Sequence, residues 1–281
     1  MDSGFGYFAT HDAVRPAALA RLVEERGHQA LLFTEHTHIP VPPEGGVPRD
    51  QMGGDLPRRY WHTYDPITAC MAAGMATTRL RVGTGICLVP QHEPIGLAKS
   101  VASVDDLTGG RFEFGVGAGW NVREIANHGV DPARRFAVMR EHMDAMRAIW
   151  TQAEASYHGE FVSFDPIWSW PKPAQRPYPP ILVGGAGKRV FDRVLAYGDA
   201  WMPNYGPGVL ERAAELFRLA EEAGRRVEVM LLSVPADPRV MEACDRAGVR
   251  RVMAWLPSAG LDRVERAMDA FEGALADYRG E

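Results

Sequence analysis

Residues 80–121 read LRVGTGICLVPQHEPIGLAKSVASVDDLTGGRFEFGVGAGWN, and the fold is decided here. A strand-forming run over 80–84 breaks at Gly85 and passes through Pro90 and Pro94 into a helix. Its apolar stripe (Ile95, Leu97, Ala98, Val101, Val104, Leu107) stops at Gly109 and Gly110, and a second short strand follows over 111–116. Short, continuously apolar strands joined by a helix predict neighbours in a parallel sheet covered on both faces. Both strands end in glycine-rich chain, Gly85 with Ile86 and then Gly117, Ala118 and Gly119 before Trp120 and Asn121. Glycine lets backbone approach a flat or phosphorylated ligand closely, so the carboxyl edge is the expected binding edge.

The same rhythm runs through the chain. A strand over 5–9 and a helix over 15–26 come first, then a strand over 30–33 and a long proline- and glycine-rich loop to about residue 60, expected to act as a lid. Asp65 caps a helix that opens on Pro66. Beyond the quoted stretch lie a helix over 132–150, then strands over 181–183, 200–202, 227–232 and 251–254, each followed by a helix. Eight such pairs predict a (β/α)8 TIM barrel, with an open doubly wound sheet as the structural alternative. One domain over 1–281 is expected. The aromatic, proline-rich residues 154–180 interrupt the rhythm as an insertion, expected to be a β-hairpin or extended arm beside the barrel mouth.

With 281 residues and a net charge of −5, the chain carries no electrostatic footprint for nucleic acid. Its three cysteines have no metal-ligand spacing. No apolar run reaches the roughly 20 residues that span a bilayer, and no basic-then-apolar leader opens the chain, so a cytoplasmic protein with no membrane partner is expected.

A barrel keeps its chemistry at the carboxyl ends of its strands. His36 follows the second strand and can pass a proton to or from a carbonyl or hydroxyl, with Glu35 beside it. Glu35, His36 and His38 also raise a metal reading, but the later strands end in Gly184, Met202, Trp255 and Leu256, none of them a zinc ligand, and no metal is expected. Gly184, Gly185, Ala186, Gly187 and Lys188 are expected to start a helix, where free N–H groups suit an anion. Trp120 and Asn121 can wall a flat ring and bond its polar edge, or Trp120 can simply pack in the core. Tyr157, Phe161, Phe164, Trp168 and Trp170 serve equally a substrate pocket, an arm packed on the barrel, or a subunit contact.

The runs VGTGICLVP (82–90) and SVDDLTGGRFEFGVGAGW (103–120) resemble the luciferase-like monooxygenase superfamily, and most closely its coenzyme F420 (deazaflavin)-dependent oxidoreductases. That resemblance implies a non-prolyl cis peptide at Gly85 and Ile86 behind the redox ring, a cofactor edge at 117–121, its phosphate at 184–188, a catalytic His36 assisted by Glu35, a small-molecule substrate and a homodimer. Pro40 and Trp120 stand where the sugar-phosphate dehydrogenases of that group carry tryptophan and glutamate, which speaks against that subtype. FMN, fed by a separate reductase for monooxygenation, is the alternative cofactor. A non-catalytic flavin-binding protein is the alternative from another class.

Overall fold

The computed structural model describes residues 1–43, 45–50 and 53–280. In chain order it contains β1 (Asp2–Tyr7), α1 (Pro16–Glu25), β2 (Ala30–Phe33), α2 (Pro66–Met75), β3 (Arg81–Thr84), β4 (Cys87–Leu88), α3 (Pro94–Leu107), β5 (Phe112–Gly117), α4 (Val122–Asn127) and α5 (Arg135–Thr151). There follow β6 (Ala155–His158), β7 (Ser163–Ile167), β8 (Ile181–Gly184), α6 (Val190–Tyr197), β9 (Ala200–Met202), α7 (Val209–Glu222), β10 (Glu228–Leu231), α8 (Pro238–Arg246), β11 (Arg251–Leu256) and α9 (Leu261–Arg279).

Strands β1, β2, β3, β5, β8, β9, β10 and β11 pair in that order, all parallel, and β11 pairs back onto β1. The sheet is therefore a closed (β/α)8 barrel, and the open doubly wound alternative is excluded. Closure follows from the strand sequences: almost every barrel residue is buried, so each strand needs cover on both faces and no edge can stay open. Proline opens α2, α3 and α8, and the side chains of Asp65, Glu93 and Asp237 accept the free N–H groups of those first turns.

Two apolar layers result. The larger lies between strands and helices, with Phe5, Phe33, Phe112, Phe114 and Trp150 among its fully buried members. The smaller fills the barrel lumen with Leu32, Leu182, Ala200, Met202, Met230, Leu232 and Met253, and above it Ile86 and Trp255 are only partly buried. At the amino end Glu113 and Arg251, both 3% exposed, close the lumen through a paired contact of 2.6 and 3.0 Å.

Residues 154–180 do contain a hairpin, antiparallel β6–β7, and it lies along α5. Glu141 of α5 accepts the N–H groups of Glu160, Phe161 and Val162 at its tip, and Arg134 grips Glu160 at 2.6 and 2.7 Å. Trp168 and Trp170 face outward, 78% and 58% exposed. Among the described residues no helix is long and apolar enough to cross a membrane.

Candidate active site

At the carboxyl edge β3 stops at a cis peptide between Gly85 and Ile86 and resumes as β4 alongside β5. The Gly85 N–H donates to the Phe33 carbonyl at 2.7 Å, and the Thr84 hydroxyl donates to the Gly115 carbonyl at 2.6 Å, so both neighbouring strands hold the break. Ile86 is thereby turned over the lumen. A Cβ on Gly117 would stand 1.9 Å from Ile86 Cδ1, and one on Gly184 would stand 2.8 Å from Ile86 Cγ2. These two glycines, expected to touch a cofactor, also leave room for Ile86. Gly6 does the same for Trp255, whose ring would lie 2.5 Å from a Cβ there. Ile86 and Trp255 thus tile the floor of the mouth.

Glu35 and His36 are adjacent in sequence, so they diverge at the strand end and enter separate networks. Glu35 is buried; it accepts from the Leu88 N–H at 2.5 Å and from His92 Nε2 at 2.7 Å. Burial pushes its carboxyl up, but the bond and charge of His92, with the Leu88 amide, outweigh that and hold it below its ordinary range. Burial likewise pushes His92 down, and the Glu35 bond and charge raise it on balance. Glu35, Cys87 and His92 come close enough to share a cation. Both carboxylate oxygens are already engaged, however, and the cluster works as a clasp that ties β4 to the end of β2. Glu35 therefore does not assist His36, contrary to expectation.

The carboxylate that reaches His36 is Glu124, at 2.8 Å from Nδ1, with side-chain exposures of 6% and 1%. Its position comes from α4: the Asn121 side chain caps the helix by accepting from the Arg123 and Glu124 N–H groups, both at 3.2 Å, and this seats Glu124 in the first turn. Asn121 carbonyl oxygen is thus committed to the cap rather than free for a ligand. With a Glu124 oxygen at Nδ1, Nε2 is the imidazole nitrogen that this contact leaves open. The other Glu124 oxygen, Oε1, is buried with no partner among the described residues. Tyr60 and Trp120 stand at 5.2 and 5.8 Å from the imidazole, ring centre to ring centre, and form an aromatic wall. Tyr60 comes from the long loop after β2, whose last residues do reach across the mouth. Ala118 is buried, and Gly119 turns the chain at φ +79°.

The glycine run does not start a helix as expected. Gly185, Ala186, Gly187, Lys188 and Arg189 form an exposed loop, and α6 begins at Val190. The loop's carbonyls are held from outside: Trp201 Nε1 donates to Gly185 at 2.8 Å and Arg212 Nη1 to Ala186 at 2.5 Å. With its carbonyls held, the loop has backbone N–H groups free for an anion, beside the Arg212 guanidinium. Gly185 has φ +93°, and a Cβ on Gly185 or Gly187 would meet nothing within 4 Å.

Sequence reasoning missed Glu124, His92, Arg212 and Tyr60. The Asn121-x-x-Glu124 spacing of a capped first turn was a usable signal for Glu124. Nothing local marks Arg212 or His92, because their partners lie 26 and 57 positions away.

The closed (β/α)8 barrel thus carries the His36–Glu124 pair and the exposed 185–189 loop together on its carboxyl edge. The family model of luciferase-like monooxygenases matches residues 9–279, and the chain belongs to that family. An uncharacterized protein of Mycobacterium tuberculosis H37Rv is 37% identical over 280 residues, covering 98% of this chain and 99% of that one. An FMNH2-dependent dimethylsulfone monooxygenase of Pseudomonas putida is 33% identical over 144 residues, covering 50% and 39%. The coenzyme F420-dependent tetrahydromethanopterin reductase of Methanopyrus kandleri superposes with a TM-score of 0.70 at 16% identity, covering 96% and 97%, and so shares the fold. Relatives by sequence thus include that FMNH2-dependent enzyme and an F420-dependent glucose-6-phosphate dehydrogenase of Nakamurella multipartita, 25% identical over 246 residues and covering 80% and 64%.

Proposed function

We propose that the chain is an oxidoreductase that binds the deazaflavin coenzyme F420 and moves a hydride between its C5 and an organic substrate. The observation carrying this reading is the buried His36–Glu124 pair at the rim of a floor made by Ile86. When bound, the coenzyme supplies a two-electron hydride donor or acceptor. Hydride transfer to a carbonyl, or from an alcohol, needs a partner for the substrate proton, and His36 Nε2 is placed for it. Glu124 holds the ring in one tautomer and opposes the charge that builds up when the proton arrives. Ile86 buttresses the ring from below; the backbone at 117–121, with Trp120, walls its edge. Gly185, Ala186, Gly187 and Lys188, with Arg212, hold its phosphate. These groups fit a flat, phosphorylated cofactor: an apolar floor, a proton pair to one side, and an exposed N–H loop on the neighbouring strand end. Glu35 is read as a positioning residue that fixes the chain after the break.

The reading includes a small-molecule substrate, a cytoplasmic location and a homodimer, for which exposed Trp168 and Trp170 offer apolar surface. A second reading, FMN with a separate reductase, is favoured by the Pseudomonas putida relative, whose match covers half of this chain. Equilibrium titration with each cofactor separates the two. We expect F420 to bind and FMN to bind weakly; tight FMN binding without F420 affinity overturns the first reading. His36→Ala is expected to keep cofactor affinity while turnover on alcohol and ketone panels falls about 10²- to 10⁴-fold. Bound cofactor with no turnover in either form favours a non-catalytic flavin-binding protein.

A further inference from the structure

A second cleft, of about 720 Å³, opens on the same edge at the ends of β9, β10 and β11. Three arginines line it, Arg59 from the long loop and Arg263 and Arg266 from α9, and among the described residues no aspartate or glutamate does. None of the three enters an ion pair among the described residues. The acidic side chains of α9 do not compensate them: Glu265, Asp269 and Glu272 turn to Arg26 on the outside of the barrel, and Asp262 is exposed outside the lining. A cleft lined by one sign of charge over low-dielectric walls concentrates counter-charge.

The walls are aromatic and continuous with the proton pair. Tyr60 touches His36 at 5.2 Å, Phe8 touches Tyr60 at 4.8 Å, and Trp255 touches Phe8 at 5.4 Å, centre to centre. Arg59 lies over both Phe8 and Tyr60, which holds its guanidinium along this wall. Trp255 is fixed by its Nε1–H, which donates to the Ser233 hydroxyl at 2.7 Å; that hydroxyl lies 2.8 Å from Asn204 Oδ1. Ser233 has φ +59° and is the one non-glycine residue among those described with positive φ. Such backbone persists where its surroundings impose it and concentrates at functional sites.

We infer that this cleft is the substrate's anion subsite: the substrate is an organic anion whose apolar body lies on Trp255, Phe8 and Tyr60 and whose carboxylate, sulfonate or phosphate meets Arg59, Arg263 and Arg266. The assignment of this ligand as substrate rests on the redox reading above; its binding does not. The test is calorimetric titration of the full chain, without cofactor and with saturating F420 or FMN. Probes are 4-phenylbutyrate, benzenesulfonate and phenyl phosphate, set against neutral 4-phenylbutanol. At least one anion is expected to bind about 10- to 100-fold tighter than the alcohol, weakening with added salt, and the preferred head group identifies the anion class. Arg263→Gln/Arg266→Gln, on an exposed helix face, should abolish that preference, retain the circular dichroism melting curve and leave cofactor affinity unchanged. Trp255→Phe should weaken anion and alcohol alike. Equal affinity for anion and alcohol, absence of binding in every state, or a preference untouched by the double substitution overturns the subsite. Loss of F420 or FMN affinity in the double variant also overturns it, assigning the arginines to the cofactor. Anion binding that survives while neither cofactor binds leaves the subsite standing and the redox reading refuted.

Discussion

At the residue scale the site depends on two carboxylate–imidazole pairs that sequence adjacency disguises. Among the described residues the Glu124 side chain bonds His36 alone, so Glu124→Gln keeps the shape and removes the charge that opposes a protonated ring. We expect kcat to fall about 10- to 100-fold with KM changing far less, as for a group acting in the transition state. A matching rise in KM instead would make Glu124 a binding residue. The Glu35–His92 pair is a stability element. Glu35 is lowered in the folded chain, so its contribution is present above the unfolded carboxylate value and lost as pH falls through the folded one. His92 is raised, so its contribution is full below the unfolded imidazole value and lost as pH rises through the folded one. The pair therefore stabilises most between roughly pH 4.5 and 6.5. In urea titrations the deficit of His92→Gln against the parent chain should be larger at pH 6 than at pH 9, and a deficit independent of pH would refute the assignment.

At the element scale the bulge after β3 dictates the glycines of its neighbours. A Cβ on Gly115 would lie 1.9 Å from the Thr84 carbonyl oxygen, which is backbone and cannot rotate away. Gly115→Ala should therefore cost about 1 to 3 kcal/mol of stability. Gly117→Ala meets the tip of Ile86, which can turn, so its main effect should be on the floor: weaker cofactor binding at modest cost in stability. Ile86→Ala in the same chain should relieve the clash, a coupling of about 0.5 to 3 kcal/mol in a double-mutant cycle on unfolding. Strict additivity would mean that the two side chains do not compete. These glycines were legible in the sequence as special, but not their reason. The pattern of apolar runs and glycine stops located the strand ends, because burial and turns are local. It could not say that a neighbouring isoleucine would occupy the space, since that depends on strand order and on the direction of a side chain. The run from Gly184 to Lys188 shows the same limit: its glycines were visible, while the groups that hold the carbonyls of Gly185 and Ala186 come from Trp201 and Arg212.

At the scale of the whole molecule the barrel separates chemistry from stability along its axis. Eight apolar strands with helical returns made the strand and helix pairs legible from the sequence but left closure open against a doubly wound sheet, and the charges that plug the amino end were not legible, because Glu113 and Arg251 lie 138 positions apart. Both are buried on opposite sides of the lumen, and Arg81 stands 3.6 Å from the same carboxylate. Burial pulls the Arg251 guanidinium down, but the charge and bonds of Glu113 outweigh that and hold it above its ordinary value. Removing one partner strands a charge in the core, so Glu113→Ala should lower unfolding free energy by about 3 to 5 kcal/mol. Removing both is different: Glu113→Leu/Arg251→Met fills the lumen with apolar groups, lets half-exposed Arg81 turn to solvent, and should recover most of that loss. Because the amino end carries stability and the carboxyl edge carries chemistry, cofactor affinity at the mouth should be unchanged in the folded double variant. Urea unfolding paired with cofactor titration checks both halves, and a double variant as unstable as Glu113→Ala would show that the ion pair itself, not the stranded arginine, sets the cost.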